Sequence, residues 1–118
     1  YPLFSVQRKT YRSVHSTFNN LEWMDEVCDR QPVVLLNEAD AEARGIVAGD
    51  ALVVFNYRCA HRGDAQVNDR IKAGVVGLQN GWWEQQGGSS SYVTNDKWKT
   101  LGGTHCCNQT LVDVKKEA

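Results

Sequence analysis

Residues 34–59 read VLLNEADAEARGIVAGDALVVFNYRC, and residues 65–83 read AQVNDRIKAGVVGLQNGWW. The first segment opens on an apolar run at 33–36 that suits a buried strand. Asn37 then offers a helix N-cap, with Glu38 and Asp40 in the first turn, where the helix dipole favours negative charge. Arg44 falls in the last turn, and Gly45 suits the left-handed residue that commonly follows a helix. Gly49 and Asp50 make a turn into a β-rich run at 51–55. Residues 56–63 read as a hairpin connection whose return is 64–68. Gly74 closes another turn, and 75–78 reads as a further strand. The order is strand, short helix, glycine turn, strand, hairpin, strand, strand.

The flanks extend this pattern. Residues 1–6 form a short apolar run, a first strand. Near the other end, Leu111 and Asp113 alternate with Val112 and Val114, as in a strand with one buried face. Six strands are therefore expected, at 3–6, 33–36, 52–55, 65–67, 75–78 and 111–114, with a helix at 38–44 plugging one end. Leu21, Trp23, Met24 and Val27 are expected on one side of a second short helix. Many short strands with glycine turns favour a closed barrel, which leaves no exposed edge. The helix between strands allows a crossover and hence some parallel pairing. On periodicity alone the chain is a small β-barrel with one or two helices, and no repeat of fixed period is visible.

Composition bounds the function. A chain of 118 residues is one domain, 1–118, with room for a single core. A formal net charge of -1 gives no global attraction to nucleic acid or to an anionic membrane. No stretch approaches the ~20 consecutive apolar residues of a membrane-spanning helix, so neither nucleic acid nor direct membrane contact is expected. The chain opens on Tyr1 and its one methionine is Met24; it is expected to be an excised domain or a processed product. Cys28, Cys59, Cys106 and Cys107 lack the C-x-x-C spacing of zinc sites. Adjacent Cys106 and Cys107 diverge if their segment is extended. They read as small, partly buried thiols, and no metal ligand is assigned.

Four segments carry polar chemistry. Residues 8–20 read RKTYRSVHSTFNN, a long polar loop of a kind uncommon in small domains unless functional. Arg8, Arg12, His15, Ser16 and Thr17 supply the cations and hydroxyls that phosphates and fused polar rings need; a solvated basic loop is the plain alternative. Residues 79–83 read QNGWW. Adjacent Trp82 and Trp83 cannot both point into the core. They are either one core and one rim tryptophan or an aromatic wall with Asn80 beside it. Residues 89–96 read SSSYVTND, and residues 105–110 read HCCNQT, with Asn108 and Gln109 just before the last strand.

The order of these strands, turns and loops resembles the C-terminal domain of the dimethyl sulfoxide reductase family of molybdopterin oxidoreductases, over nearly the whole chain. The resemblance implies a mainly β fold, a six-stranded double-psi β-barrel. It implies a cofactor-binding domain that holds bis(molybdopterin guanine dinucleotide) for oxygen-atom or electron transfer in an intact enzyme. The loop after the first strand lines the pyranopterins in that family, which implies contacts from Arg12, His15, Ser16 and Thr17, with Arg8 beside them. The same resemblance implies cofactor contacts from Asn80, Trp82, Ser91, Asn108 and Gln109. Two positions depart from the family pattern. Ser91 stands near the place of an Asn and lacks its bidentate amide, with Asn95 or Asp96 as compensating groups. Cys59 stands where relatives have Gly, while Arg58 beside it is retained.

The residues that bind molybdenum in this family lie in other domains. No catalytic residue is therefore assigned, and the isolated chain is expected to be non-catalytic and without bound cofactor. Expected partners are other domains of the same polypeptide, with iron–sulfur and membrane-anchor subunits in a bacterial, periplasmic or membrane-associated parent. The alternative is a glycan- or peptide-binding β-barrel module, for which Trp82, Trp83 and the serine-rich loop would be the platform. The basic loop 8–15 separates the two, because a diphosphate needs it and a glycan does not.

Overall fold

A computed structural model describes residues 1–10, 14–28 and 31–118. Its strands are β1 (Leu3–Arg8), β2 (Val33–Asn37), β3 (Ala51–Phe55), β4 (Ala60–Asn68), β5 (Val75–Gln79) and β6 (Thr110–Lys116). Two short helices, α1 (Met24–Val27) and α2 (Glu38–Glu42), stand between strands. The strands close into a ring in the order β1-β5-β2-β4-β3-β6. β1 pairs with β5 and β2 with β4 in parallel; the other four pairings are antiparallel. This is a six-stranded double-psi β-barrel with two short helices.

The alternation of each strand fills the barrel. Leu3, Val34, Leu36, Leu52, Val54 and Val112 point inward and are buried, with Val76, Leu78 and Val114 beside them. Branched aliphatic side chains suit this interior because they fill it in few rotamers and carry no polar atom to satisfy. Closure pairs every strand on both sides, so no ladder is left open. No helix among the described residues is long and apolar enough to cross a membrane.

Strand direction sorts the connections onto two rims. Because β1 and β5 are parallel and β6 opposes β1, the ends of β1 and β5 and the start of β6 share one rim. The long connections 9–32 and 80–109 open there, as does the 56–59 hairpin. Short connections occupy the other rim, where α2 packs against β2 and β4. Asn37 Oδ1 accepts from Ala39 N at 2.9 Å and caps α2, while Ala41 and Ile46 enter the core. Asp40 Oδ2 accepts from Gly74 N at 2.7 Å, and Arg44 pairs with Asp113 at 3.2 Å.

The helix expected at 38–44 ends at Glu42, with Arg44 in the turn beyond it, and three other elements differ from the sequence expectation. β4 begins at Ala60, five residues early, because the alternation continues through His61 and Gly63, both buried; neither residue type advertises a strand. β1 runs on to Arg8, since the parallel partner β5 offers a ladder to polar Gln7 and Arg8. α1 is four residues long and buries only Met24; Trp23 and Val27 are exposed, because one turn cannot carry an apolar stripe. Gly63 allows a close crossing: a Cβ there would stand 2.6 Å from the Pro32 carbonyl oxygen. That oxygen also accepts from Asp64 N at 2.8 Å.

His61 is fully buried, and neither ring nitrogen has a hydrogen-bond partner among the described residues. Burial pulls its pKa from 6.5 down to about 4. The folded ring therefore stays neutral where the unfolded chain takes up a proton, so stability falls as pH drops from 6.5 to about 4. His61→Leu should remove up to about 3 kcal/mol of this acid-side loss. Urea unfolding of both proteins at pH 7 and pH 4.5 checks it, and parallel losses in the two would refute it.

Candidate functional site

The rim that carries the long connections holds a cleft of about 660 Å³. Its lining comes from three places: Gln7 near the end of β1 with Lys9 and His15 beyond it; Asn80, Gly81, Ser91, Thr94, Asn95 and Asp96 after β5; and His105, Cys107 and Asn108 before β6. Backbone geometry joins them. Asn80 N donates to Arg8 O at 3.1 Å, continuing the parallel ladder past the strand ends. Gln7 N donates to Asn108 Oδ1 at 2.8 Å, and Gln7 Nε2 donates to Thr94 Oγ1 at 2.7 Å. One residue of β1 thus ties all three parts of the wall together.

Buried neutral amides position the rest. Asn95 Nδ2 donates to Cys106 O at 2.9 Å and to Gln109 O at 2.8 Å, while its Oδ1 accepts from Lys97 N at 3.0 Å. Asn95 N donates to Thr110 Oγ1 at 2.9 Å. Asn95 thus grips both ends of the turn carrying Cys107 and Asn108, which Gln7 and the Cys106 N–Lys97 O bond (3.0 Å) also hold. Asn56 works alike from the hairpin, with Nδ2 donating to Val93 O at 2.7 Å. Gln79 Oε1 accepts from Val33 N at 3.0 Å and from Trp82 Nε1 at 2.8 Å. His15 has a left-handed backbone (φ 57°), uncommon for a residue with a side chain. Gly81 lies against its carbonyl, where a Cβ would collide with His15 O, and Asn19 Nδ2 donates to Gly81 O at 2.7 Å.

Among the described residues the cleft holds one carboxylate, Asp96, and it is paired locally. Arg58 Nη2 donates to Asp96 Oδ1 at 2.7 Å, and this bond holds the carboxyl below the usual carboxylate range. What faces the cavity is then a lysine, two histidines, amides and hydroxyls. That set fits an anionic, ring-bearing ligand with diphosphates: a lysine for charge, imidazole N–H groups and hydroxyls for phosphate oxygens, amides for ring edges. Among the described residues, no group of three or more His, Cys, Asp or Glu side chains could hold a metal ion.

Of the residues singled out in the sequence, His15, Asn80, Ser91 and Asn108 line this cleft, as do Asn95 and Asp96, named as compensating groups beside Ser91. Arg12 lies outside the described residues. Ser16 and Thr17 are exposed beside the cleft without lining it, and Thr17 Oγ1 donates to Val14 O at 2.6 Å. Arg8 reaches Gln66 at 3.4 Å instead, leaving its Nε without a partner among the described residues. Gln109 lines a separate groove with Tyr1, Tyr57 and Leu111. Trp82 is buried and Trp83 exposed, the core-and-rim arrangement. Lys9, Gln7, Thr94, His105 and Cys107 were not singled out, although all lie in or next to the four polar segments. Their signal was position: each stands within a few residues of a strand end or close to another lining residue in sequence.

Barrel and cleft together define a ligand-holding double-psi domain with its binding loops on one rim. The chain belongs to the molydopterin dinucleotide binding domain family, whose model matches residues 3–111. It is 33% identical over 132 residues to the dimethyl sulfoxide/trimethylamine N-oxide reductase of Cereibacter sphaeroides, covering 100% of this chain and 16% of that protein. It is 32% identical over 114 residues to the dimethyl sulfoxide reductase DmsA of Escherichia coli, covering 90% of this chain and 14% of the relative. Among solved structures, acetylene hydratase from Pelobacter acetylenicus superposes with a TM-score of 0.84 at 16% identity, over 98% of this chain and 18% of that one. That likeness shows the fold. The chain thus spans 14–16% of the length of the two reductases, and is a molybdopterin dinucleotide-binding domain. Membership of this family leaves the glycan or peptide alternative without support.

Asn95 supplies a direct test of how the wall is held. Asn95→Ala strands the Cys106 and Gln109 carbonyls and should cost about 2 kcal/mol or more. The freed turn should also label faster at Cys106 and Cys107 with a thiol reagent under native conditions. An unchanged labelling rate would show that the turn does not depend on this amide.

Proposed function

We propose that this chain holds bis(molybdopterin guanine dinucleotide) in a dimethyl sulfoxide reductase-like parent enzyme. The observation that carries it is the convergence of Lys9, His15, His105, Asn80, Asn108 and Ser91 on one cleft, with the one lining carboxylate among the described residues paired to Arg58. In this reading Lys9 and the two histidines meet the diphosphates. Asn80 and Asn108 supply amides to the ring systems, and Ser91 adds a hydroxyl where a longer amide would otherwise stand. Arg12 and Gln109 remain assigned to the same ligand from their place in the flanking segments. The cofactor, when bound, supplies the redox-active metal centre. The chain's own residues bind and orient it.

The cleft is open on one side, so the isolated chain provides one wall and is expected to retain no cofactor. Other domains of the same polypeptide complete the site, and iron–sulfur and membrane-anchor subunits are the candidate partners of the assembled enzyme. Each charge-assisted bond lost from the site should cost about 1.5–3 kcal/mol, roughly ten- to a hundredfold in affinity. In the full-length parent, Lys9→Ala with His15→Ala should therefore lower bound molybdenum and released guanine nucleotide in parallel. Elemental analysis and nucleotide quantification per polypeptide read this out. Unchanged occupancy would remove these residues from the site, and release of a different base would overturn the guanine assignment.

A further inference from the structure

Next to the cleft, with Asn95 lining both, the outer face of β1, β6 and β3 is unusually apolar. Phe4 and Leu111 are directly paired across β1 and β6, and they are 52% and 46% exposed. Tyr1 packs edge-on against Phe55 with ring centroids 6.1 Å apart, and Tyr57, 70% exposed, lies 6.4 Å from Tyr1. Lysines rim these rings: Lys115 Nζ lies 5.3 Å from the Phe55 ring centroid and Lys97 stands beside Tyr57, while Arg58, 4.4 Å from the Tyr57 centroid, is already paired with Asp96. A shallow groove of about 220 Å³ runs between Tyr1, Tyr57, Lys97 and Leu111. β4, by contrast, shows solvent Arg62 and Gln66. A contiguous aromatic patch of this kind on one side of a barrel marks a surface built to be covered.

Three observations say what covers it. The ring of strands is closed, so a partner cannot add a strand and must pack side chain against side chain. The matched segment is 14–16% of each reductase relative, so most of such a polypeptide lies outside the barrel. The rim is cationic, so the complementary surface is apolar with carboxylates at its margin. We propose that the β1–β6–β3 face is where the remainder of the parent polypeptide docks, through a segment presenting apolar side chains flanked by Asp or Glu. The proposal rests on the chain being part of a longer family member and not on which residues hold the cofactor.

Hydroxyl-radical footprinting of the full-length parent, with and without its cofactor, tests this. Buried Leu36 and Leu52 serve as internal standards. Leu111 should oxidise as slowly as those two in both forms, and Phe4 and Tyr57 should be protected to a similar degree. Leu111→Lys in the parent should restore oxidation of Phe4 and Tyr57. Rapid oxidation of Leu111 in both forms would overturn the proposal. So would protection that appears only with cofactor bound, which would make the cofactor the occupant, and so would full protection of Phe4 and Tyr57 in the Leu111→Lys parent.

Discussion

The parallel pairing of β1 with β5 is the constraint on which this molecule depends. Parallel neighbours end on the same side, so the chain leaving Arg8 and the chain leaving Gln79 emerge next to each other although 71 residues separate them. Antiparallel β6 then brings its own preceding loop to that side. An all-antiparallel meander of the same six strands would scatter these connections over both rims. The crossover through β2 to β4 is the counterpart that lets the ring close. It places α2 and the short turns on the far side, where they seal the core and leave the cleft rim to the long loops.

The walls of the cleft are set by neutral amides. Asn56, Gln79 and Asn95 each reach two or more partners and bridge segments distant in sequence. Buried charges could have made such ties, but desolvation would have opposed them, and a buried carboxylate would repel an anionic ligand. Amides give direction without net charge. Trp82 shows the same economy: its indole nitrogen is satisfied by Gln79 while its ring fills the base of the rim.

What the sequence disclosed follows the same physics. The strand-and-glycine-turn order announced the barrel because inward aliphatic residues recur with period two, and Asn37 and Gly45 punctuated α2 where expected. His61 and Gly63 concealed the first half of β4, since one is polar and the other has no side chain, and their burial arises only from neighbours such as Pro32 and Gly88. At the site, residue type pointed to His15 and Asn80, and the family resemblance to Ser91 and Asn108, but neither could separate Arg8 from Lys9. They are adjacent, both cationic, and successive positions at a strand end point to opposite sides, so Lys9 lines the cleft while Arg8 turns toward Gln66. Likewise the distinction between Asn108 and Gln109 lies in which way one turn faces, which is set by Asn95 at the Gln109 carbonyl and by Gln7 at the Asn108 side chain.

The seam between β1 and β6 carries a mechanical consequence. Leu3 stands beside Val112 and Ser5 beside Thr110, so the strand that begins the barrel and the strand that ends it run antiparallel, with entry and exit on the same side. Tension applied between those two points loads the ladder bonds one after another and not all at once, as in opening a zip instead of shearing a lap joint. Only three residue pairs form this seam, against five between β1 and β5. A pull transmitted along the polypeptide would therefore part the barrel at β6 first, while β1 stays seated on β5 and its half of the cleft stays joined.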